Sequence, residues 1–327
     1  MLPPLVPPLP DRPRLRVPAL HRAADVLQFG AGPSDVLVVD GLTPPLTRMV
    51  EALDGTRPTA RVLAEAVAAG SSPIAARDLL ERLHAAGLLA APPAPPSGRR
   101  VVVRGAGRVA VAVACLLATS GVGRVLVEAD GTVTRDDVGT GLLADDVGRP
   151  AGRAAEEAVA RAGAASPSGT AARRWLSARA DLVVLAEGAR PDPLGAHRLV
   201  LDGRAHLPVA VVDDTGTVGP LVVPGTTPCL RCDDLVRADA DDAWPRVAAE
   251  LVGRRGSVPV ALAAATAALA VTEILAVLDD GAPDARGAVL TLAADGTRRR
   301  RPVRRHPECG CGGLGDRALV GGGAAAA

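Results

Sequence analysis

The larger, C-terminal part of the chain carries short apolar runs that alternate with helical patterns. The stretch VVVRGAGRVAVAVACLLATSGVGRVLVEAD (101–130) contains an apolar run, a glycine turn, an alanine-rich helical segment and a second apolar run. Further apolar runs of strand length lie at 180–188, 207–216 and 218–225. Apolar strands that alternate with helices are typical of a sheet covered by helices on both faces. The pattern therefore predicts an α/β fold with a Rossmann-like, mostly parallel sheet.

Residues 19–90 show a different pattern, which predicts a small separate module. DVLQFG and DVLVVDGL flank the loop AGPS, and two strand-like runs around a short glycine-containing loop indicate a β-hairpin. Three helical segments follow: TPPLTRMVEALDG, with Thr43 as the N-cap and Gly55 as the stop, then TARVLAEAVAAG and SSPIAARDLLERLHAAGLL. The last segment has apolar residues close to a helical period, at Ile74, Leu79, Leu80, Leu83, Leu88 and Leu89. A hairpin followed by three short helices resembles a winged-helix-like fold.

Two proline-rich stretches set the predicted domain boundaries. The prolines of residues 1–18 predict a disordered arm, and APPAPPSG predicts an extended linker. The predicted organisation is a disordered arm (1–18), a winged-helix-like module (19–90), the linker (91–98), a Rossmann-like domain (99–315) and a disordered tail (316–327).

Charge and hydropathy favour a cytoplasmic protein that does not enter a membrane. The formal net charge is +1, and the proline-rich N-terminus lacks the pattern of a signal peptide. VPVALAAATAALAVTEILAVL (258–278) is as long as a membrane span, but it is mostly alanine and contains Glu273. We therefore expect a buried helix in the core or at a dimer interface. The basic run TRRRRPVRRH (297–306) indicates a solvated strand end or loop, with an anionic partner as the alternative.

The glycine turn that opens the larger domain indicates an anion site. Gly105 and Gly107 lie between a buried strand and a helix, where backbone N–H groups and a helix N-terminus face a phosphate. Ala110 replaces the third glycine of the G-x-G-x-x-G pattern, and Glu128 ends the second strand, in place to bind a ribose. The alternative is structural: small residues let helix and strand pack closely, and Glu128 is a solvated strand end.

Four of the five cysteines form two close pairs. Cys229 and Cys232 make a C-x-x-C pair, and Cys309 and Cys311 make a C-x-C pair far downstream. Four thiolates from two segments suit tetrahedral Zn²⁺, and four protein ligands leave the ion no open position for a substrate. We therefore expect a structural zinc site. His306 is the alternative fourth ligand in place of Cys311, and four buried free thiols without a metal are the other alternative.

The order of these motifs is similar to that of a known superfamily. The glycine turn, DDVGRPAGRAAEE, TPCLRC and the C-terminal CGC follow one another as in ThiF/MoeB-like proteins, the adenylating enzymes related to ubiquitin activation. TPCLRCDDLVRADADDAWPRVAAEL with HPECGCG resembles an actinobacterial branch of cyclodehydratase and leader-peptide-binding proteins of thiazole/oxazole-modified microcin (TOMM) biosynthesis. The resemblance covers about residues 20–315. It implies a ThiF-like fold whose N-terminal module is a RiPP recognition element, a clamp for a precursor peptide.

The resemblance also implies an adenylation site, from which this chain departs. The glycine expected after G-x-G is Arg108, the phosphate-binding lysine is Ala151, and TVTRDDVGTGLLADD replaces the expected Asn–Leu–x–Arg–Gln segment. The metal-binding aspartate falls where the chain has Leu185, Ala186 and Glu187. Because catalysis at transferring phosphates depends on cations and positioned donors, we expect a degenerate site.

Transfer to sulfur is not expected either. The superfamily uses a cysteine between the two metal-binding pairs, and none lies between Cys232 and Cys309. Cys115 lies in the alanine-rich helix, where a small buried hydrophobe is expected. Arg108 or Arg149 could partly replace the absent cations. ATP is therefore a second candidate cofactor, in addition to zinc.

These observations favour a non-catalytic ThiF-like scaffold. It would bind a precursor (leader) peptide or partner polypeptide by adding a strand to its hairpin edge, and present it to a modification enzyme. Two alternatives stay open: an active ATP-dependent adenylyltransferase and a winged-helix DNA-binding regulator. The segment SPIAARDLLERLHAAGLL mixes Arg77 and Arg82 with Asp78 and Glu81, a poor surface for phosphates. Because active relatives are often dimeric, a homodimer is a further expectation.

Overall fold

The computed structural model of the chain separates into two units, residues 1–94 and 95–327. The described residues are 8–32, 36–90, 98–163, 170–279 and 281–312. Most of the predicted linker, 91–97, and the whole predicted tail lie outside the described residues.

The first unit contains a three-stranded antiparallel sheet and a two-stranded pair. Its strands are β1 (Arg14–Leu15), β2 (Ala19–Ala23), β3 (Val26–Phe29), β4 (Leu37–Val39) and β5 (Leu89–Ala90). The three-stranded sheet has the order β2-β3-β4, and β1 pairs with β5. Strands β3 and β4 form the predicted hairpin, with Leu27 opposite Val39. Two residues of the predicted disordered arm, Arg14 and Leu15, instead pair with β5, and β2 was not foreseen.

Three helices cover this sheet's apolar residues. They are α1 (Pro44–Glu51), α2 (Thr59–Ala68) and α3 (Pro73–Ala85). Thr43 precedes α1 in an extended conformation, but its side chain makes no cap hydrogen bond. Leu79, Leu80 and Leu83 are buried on the predicted apolar face of α3, whereas Ile74 is 81% exposed. The helix ends before Leu89, which belongs to β5. The winged-helix identity of this unit stays a prediction.

The second unit is built on one seven-stranded sheet. Its strands are β6 (Arg100–Arg104), β7 (Arg124–Glu128), β8 (Leu182–Leu185), β9 (His206–Val212), β10 (Thr215–Val218), β11 (Ala288–Ala293) and β12 (Arg298–Pro302). The order is β12-β11-β10-β9-β8-β6-β7. Pairs among β7, β6, β8 and β9 are parallel, and pairs from β9 to β12 are antiparallel. The sheet is therefore mixed, with a parallel half as predicted and an antiparallel half that was not.

The strand predicted over 218–225 is wrong. The chain instead turns after β9 and forms β10 over Thr215–Val218, antiparallel to β9. β10 ends there because Gly219 has a left-handed φ of +100° and Pro220 has no N–H to donate. Leu221 and Val222 make isolated bridges only.

Helices lie on both faces of this sheet. They are α4 (Arg108–Thr119), α5 (Ala151–Arg161), α6 (Thr170–Ala178), α7 (Pro193–Leu201), α8 (Leu230–Ala240), α9 (Trp244–Leu251) and α10 (Val260–Leu278). Alternate residues of β6, β8 and β9 pack against α4, α5 and α10, among them Val101, Val103, Leu182, Val184, Leu207 and Val209. The residues between them pack against α6 and α7, among them Val102, Leu126, Val183 and Leu185. This two-sided burial explains the continuous apolar runs of the parallel strands.

Among the described residues, α10 is the one helix long and apolar enough to span a membrane. In this fold it packs on α4 and on strands β9 and β10. Ala263, Ala267, Ala270 and Ile274 are fully buried there. The core of the α/β unit therefore buries part of this helix, 44% of its apolar span.

Candidate functional site: a four-cysteine cluster, a glycine loop and a cavity

The two cysteine pairs meet in the α/β unit. Cys229 is the N-cap of α8, and Cys232 follows one helical turn later, so both thiols lie at the start of the same helix. Cys309 and Cys311 come from a 3₁₀ turn at Gly310–Gly312 and its preceding loop. The Sγ atoms are 3.9 Å apart for Cys229–Cys232, 3.5 Å for Cys229–Cys309 and 3.4 Å for Cys232–Cys311. All four lie within 4.8 Å of one another.

This spacing fits a tetrahedral metal ion. Four sulfurs at the Zn–S distance of about 2.3 Å are separated from one another by roughly 3.8 Å, close to the separations between these Sγ atoms. The four cysteines are free and buried, and their sulfurs are much too far apart for disulfides. The cluster could therefore bind a metal such as zinc.

Whether the four cysteines are protonated depends on whether a cation lies among them to balance the negative charge of their thiolates. Burial raises the pKa of Cys229, and burial raises the pKa of Cys311 to about 11. Burial also acts on Cys232, but hydrogen bonds from the backbone of His306 and Cys229 outweigh it and lower the pKa of Cys232. Thiols that resist ionisation become thiolates when a divalent cation lies among them, so metal binding would release protons.

His306 lies beside the cluster but is occupied elsewhere. Its Nε2 is 2.9 Å from Oδ2 of Asp239, and its Nδ1 accepts a hydrogen bond of 3.2 Å from the backbone N–H of Glu308. Both ring nitrogens therefore have partners within the protein. The structure places Cys311 in the four-residue cluster, and leaves His306 in a supporting position beside it.

The basic run forms the edge strand β12 and contacts the cysteine-bearing helix. Arg301 binds Asp233 of α8 with two hydrogen bonds, at 2.7 and 3.1 Å. Arg298, on the other face of β12, is 2.7 Å from Asp284. The run is thus a solvated strand that also ties the sheet edge to α8.

The candidate nucleotide residues lie together at the carboxyl ends of β6 and β7. Gly105 has φ of +134°, and a Cβ there would lie 2.0 Å from the carbonyl oxygen of Ala186, at the end of β8. Gly107 is the N-cap of α4 and has an ordinary φ of −84°. Glu128 pairs with Arg104 of the neighbouring strand at 3.0 Å. Gly105 thus serves strand packing, and the carboxylate of Glu128 already has a cationic partner.

The two arginines that could replace the absent phosphate-binding cations are engaged by the protein. Arg108 donates to the backbone carbonyls of Val138 and Val258. Arg149 pairs with Asp146 at 2.5 Å and with Glu157 at 2.8 Å. Each guanidinium therefore makes internal contacts that phosphate binding would have to break.

A connection that the sequence analysis missed packs against the loop after β8 and borders the glycine loop. Residues 252–254 run beside the loop after β8, where Gly253 N–H donates to Arg190 and Ala189 N–H donates to Arg254. The space left between this segment and the glycine loop is a cavity of about 50 Å³. Ligand pockets are commonly about 300–1,000 Å³, so the volume of this space lies below that range.

A larger cavity, of about 550 Å³, lies on the opposite face of the sheet from α4 and α10. Residues of β9, β10, α7, α8 and α9 line it, including Ala196, Val200, His206, Pro208, Ala210, Leu230, Trp244 and Leu251. The sequence signal for it is the alternation in HLPVAVV, which places His206, Pro208 and Ala210 on one strand face. The helices that enclose that face are distant in sequence, so the pattern alone did not reveal a cavity.

No family model and no curated protein matches the chain. Solved structures do match its fold. The microcin C7 biosynthetic enzyme MccB in complex with N-formylated MccA has a TM-score of 0.65 and 15% identity, covering 92% of this chain and 99% of that chain. Escherichia coli MccB with ATP has a TM-score of 0.64 and 15% identity, covering 91% and 98%. PaaA has a TM-score of 0.58 and 14% identity, covering 88% and 98%. The likeness supports a ThiF-like fold along nearly the whole chain.

Proposed function

We propose that this protein is a non-catalytic ThiF-like scaffold that binds a precursor (leader) peptide, or a partner polypeptide, for a modification enzyme of thiazole/oxazole microcin-like biosynthesis. The fold similarity to MccB, a biosynthetic enzyme seen in complex with the peptide MccA, supports the peptide-binding part of the proposal. The observation that carries the proposal is an exposed apolar strand edge in the first unit. In the second unit, two arginines of the candidate nucleotide site are held by internal partners.

Strand β4 is that edge. It ends the order β2-β3-β4, and no further described strand pairs with it. Val36, Leu37 and Val38 are 42%, 39% and 42% exposed. A short apolar edge with unpaired backbone groups is a template for an added strand, and peptide-binding domains use such edges by β-augmentation.

The opposite edge, β2, is protected by comparison. Its register with β3 shifts between His21 and Ala23, and a bulge of this kind twists an edge away from further pairing. His21 and Arg22 place basic side chains on it, and His21 pairs with Glu51 at 2.9 Å. The sheet therefore favours β4 over β2 as the docking edge.

Adenylation is disfavoured by the small space beside the glycine loop and by the internal partners of two nearby arginines. The cavity beside Gly107 has about 50 Å³, and Arg108 and Arg149 are held by internal partners. A site for phosphate chemistry needs space for the triphosphate and free cations aimed at it. We infer that the α/β unit has a structural role and does not catalyse adenylation.

DNA binding is disfavoured by the charge of α3. Arg77 lies 3.8 Å from Glu81, and Arg82 lies 2.8 Å from Asp78. These pairs, one turn apart on the helix, neutralise the arginines that a recognition helix would direct at phosphates.

The proposal is tested by screening a library of synthetic short peptides against the full-length protein, and the affinity of the peptides that bind is measured by fluorescence anisotropy. Val38→Asp places a charge where an added strand packs, so we expect about tenfold weaker binding, near 1.4 kcal/mol. Leu20→Asp is the matched control, because Leu20 is similarly exposed but lies on β2. Equal losses in both variants, or none in either, would contradict docking at β4.

A further inference from the structure

Trp175 of α6 lies among three arginines on the surface of the α/β unit. The guanidinium groups of Arg100, Arg124 and Arg179 lie over its indole ring, with guanidinium-to-ring distances of 5.8, 5.7 and 5.3 Å. Trp175 itself is 43% exposed. We propose that these four residues, named here the tryptophan–arginine surface, are a docking surface for an acidic segment of a partner polypeptide.

The tryptophan–arginine surface lies at the amino-terminal ends of the parallel strands. Arg100 and Arg124 are the first residues of β6 and β7, and Arg179 lies in the connection from α6 to β8. The glycine loop is at the opposite, carboxyl end of β6, and strand β4 belongs to the other unit. The surface is therefore separate from both sites described above.

The register of the sheet places two like charges side by side. Arg100 is the direct partner of Arg124 in the β6–β7 pair. Like charges in such positions destabilise a sheet, and the π face of Trp175 offsets part of that cost by cation–π attraction. Local arrangements that cost stability are expected mainly at functional sites, which points to a role for the paired charges.

Two of the three guanidinium groups are available to a partner. Arg100 donates from Nε and Nη2 to the carboxylate of Asp181, each at 3.2 Å. Burial acts to raise the pKa of Asp181, but the hydrogen bonds from Arg100 outweigh it and lower that pKa. Arg124 and Arg179 are exposed, and neither side chain has a hydrogen-bond or acidic partner among the described residues.

The chemistry of the surface favours carboxylates over nucleic acid. A guanidinium held over a ring keeps its N–H groups free at the edge, where they match the two oxygens of a carboxylate. Single-stranded nucleic acid binds by stacking its bases on aromatic rings, and a base on Trp175 would have to displace the guanidinium groups. The net charge of +1 also gives no wider basic field for a phosphate backbone.

The other arginine-rich surface, strand β12, is largely satisfied by the chain itself. Arg298 lies 2.7 Å from Asp284, and Arg301 binds Asp233 at 2.7 Å. Arg300 donates to the backbone carbonyl of Asp284 at 3.0 Å. An acidic partner would have to compete with these contacts on β12, which favours the tryptophan–arginine surface.

The test measures binding of fluorescein-labelled hexaglutamate to the full-length protein at low salt by anisotropy, with hexaglutamine as the uncharged reference. The double variant Arg124→Glu/Arg179→Glu should bind about tenfold more weakly, near 1.4 kcal/mol, the size of two exposed ion pairs. Arg299→Glu/Arg304→Glu is the matched control, because both arginines are exposed and the change of net charge is the same. We expect it to bind as the wild-type protein does.

Trp175→Leu tests the ring without changing any charge. Binding should weaken about threefold, because the guanidinium groups lose the ring that positions them, with folding checked by circular dichroism. Val38→Asp should leave hexaglutamate binding unchanged, so that this result and docking at β4 are decided separately. Absence of hexaglutamate binding, equal losses in the two double variants, unchanged binding by Trp175→Leu, or tighter binding of a thymidine hexanucleotide would overturn the inference.

Discussion

Gly105 and Gly107 belong to one motif but have different physical roles. At Gly105 the backbone has a left-handed φ and lies against the carbonyl of Ala186, so a side chain has no room. At Gly107 the φ is ordinary, and the nearest atom to an added Cβ is Oδ1 of Asp137 at 3.6 Å. A G-x-G pattern therefore does not by itself indicate bound phosphate, since one of its glycines is required by packing.

We predict that Gly105→Ala destabilises the protein by several kcal/mol, roughly 3 or more, because the added Cβ clashes with backbone and the φ is strained. Gly107→Ala, the matched variant two residues away, should change the free energy of unfolding by less than about 1 kcal/mol. Urea denaturation of both variants measures the difference.

The opposite ranking, with Gly107→Ala the more damaging variant, would show that Gly105 is not held against Ala186. If both variants fold but lose a bound nucleotide, the structural interpretation of the motif would be wrong.

At the scale of elements, the cysteine cluster joins the start of α8 to a turn near the end of the described chain. The two segments meet where Sγ of Cys229 lies beside Sγ of Cys309, and Sγ of Cys232 beside Sγ of Cys311. Arg301 adds a second link by binding Asp233 of the same helix. A metal at this point would hold α8 against the sheet edge without any role in catalysis.

We predict one zinc ion per chain, bound through Cys311 and not through His306. Cys311→Ser should reduce the zinc content of purified protein, measured by inductively coupled plasma mass spectrometry, while His306→Ala should leave it near one. Cys115→Ser is the control for loss of a thiol outside the cluster. Retention of zinc in Cys311→Ser together with its loss in His306→Ala would reverse the assignment.

Removal of the metal has its own expected effect. A chelator should lower the free energy of unfolding by about 4 kcal/mol if free zinc had been a thousandfold above its Kd. Thermal melts with and without chelator measure this, and Cys232→Ser should melt at the same temperature in both conditions. An unchanged melt of the wild-type protein would mean that the four thiols hold no structural ion.

At the scale of the whole molecule, similarity of fold does not imply similarity of chemistry. The chain shares the fold of MccB across nearly its full length, at 15% identity. Beside its glycine loop, Arg254, Arg255, Gly256 and Val258 border a space of about 50 Å³, and Arg108 donates to the carbonyls of Val138 and Val258. Fold similarity by itself does not establish ATP chemistry in this chain, because function depends on the residues of the site.

We predict that the protein neither binds ATP measurably at about 1 mM, the upper end of ordinary KM values, nor catalyses ATP–pyrophosphate exchange. The space of about 50 Å³ beside the glycine loop and the internal partners of Arg108 and Arg149 disfavour the binding of a triphosphate. Calorimetry and an exchange assay measure the two properties, with Escherichia coli MccB as the positive control. Exchange above background would favour the adenylyltransferase alternative.

Much of the architecture was determined by local sequence. Buried parallel strands, the alanine-rich helix α4, the β3–β4 hairpin and the paired cysteines follow from apolar runs, period and spacing, which are short-range properties. One failure was local in origin: 218–225 is apolar enough for a strand, but Gly219 and Pro220 end β10 at Val218. The other was not local, since Arg14–Leu15 form β1 by pairing with β5, which lies far downstream in sequence.

Only the tertiary structure decided what those elements do together. It placed Cys311 in the cluster and occupied His306 with Asp239. It gave Arg108 and Arg149 internal partners, and enclosed a cavity over one face of β9. The physical reason is that hydrogen bonds, ion pairs and cavities join residues distant in sequence, and a pattern along the chain records which side chains are present but not which of them meet.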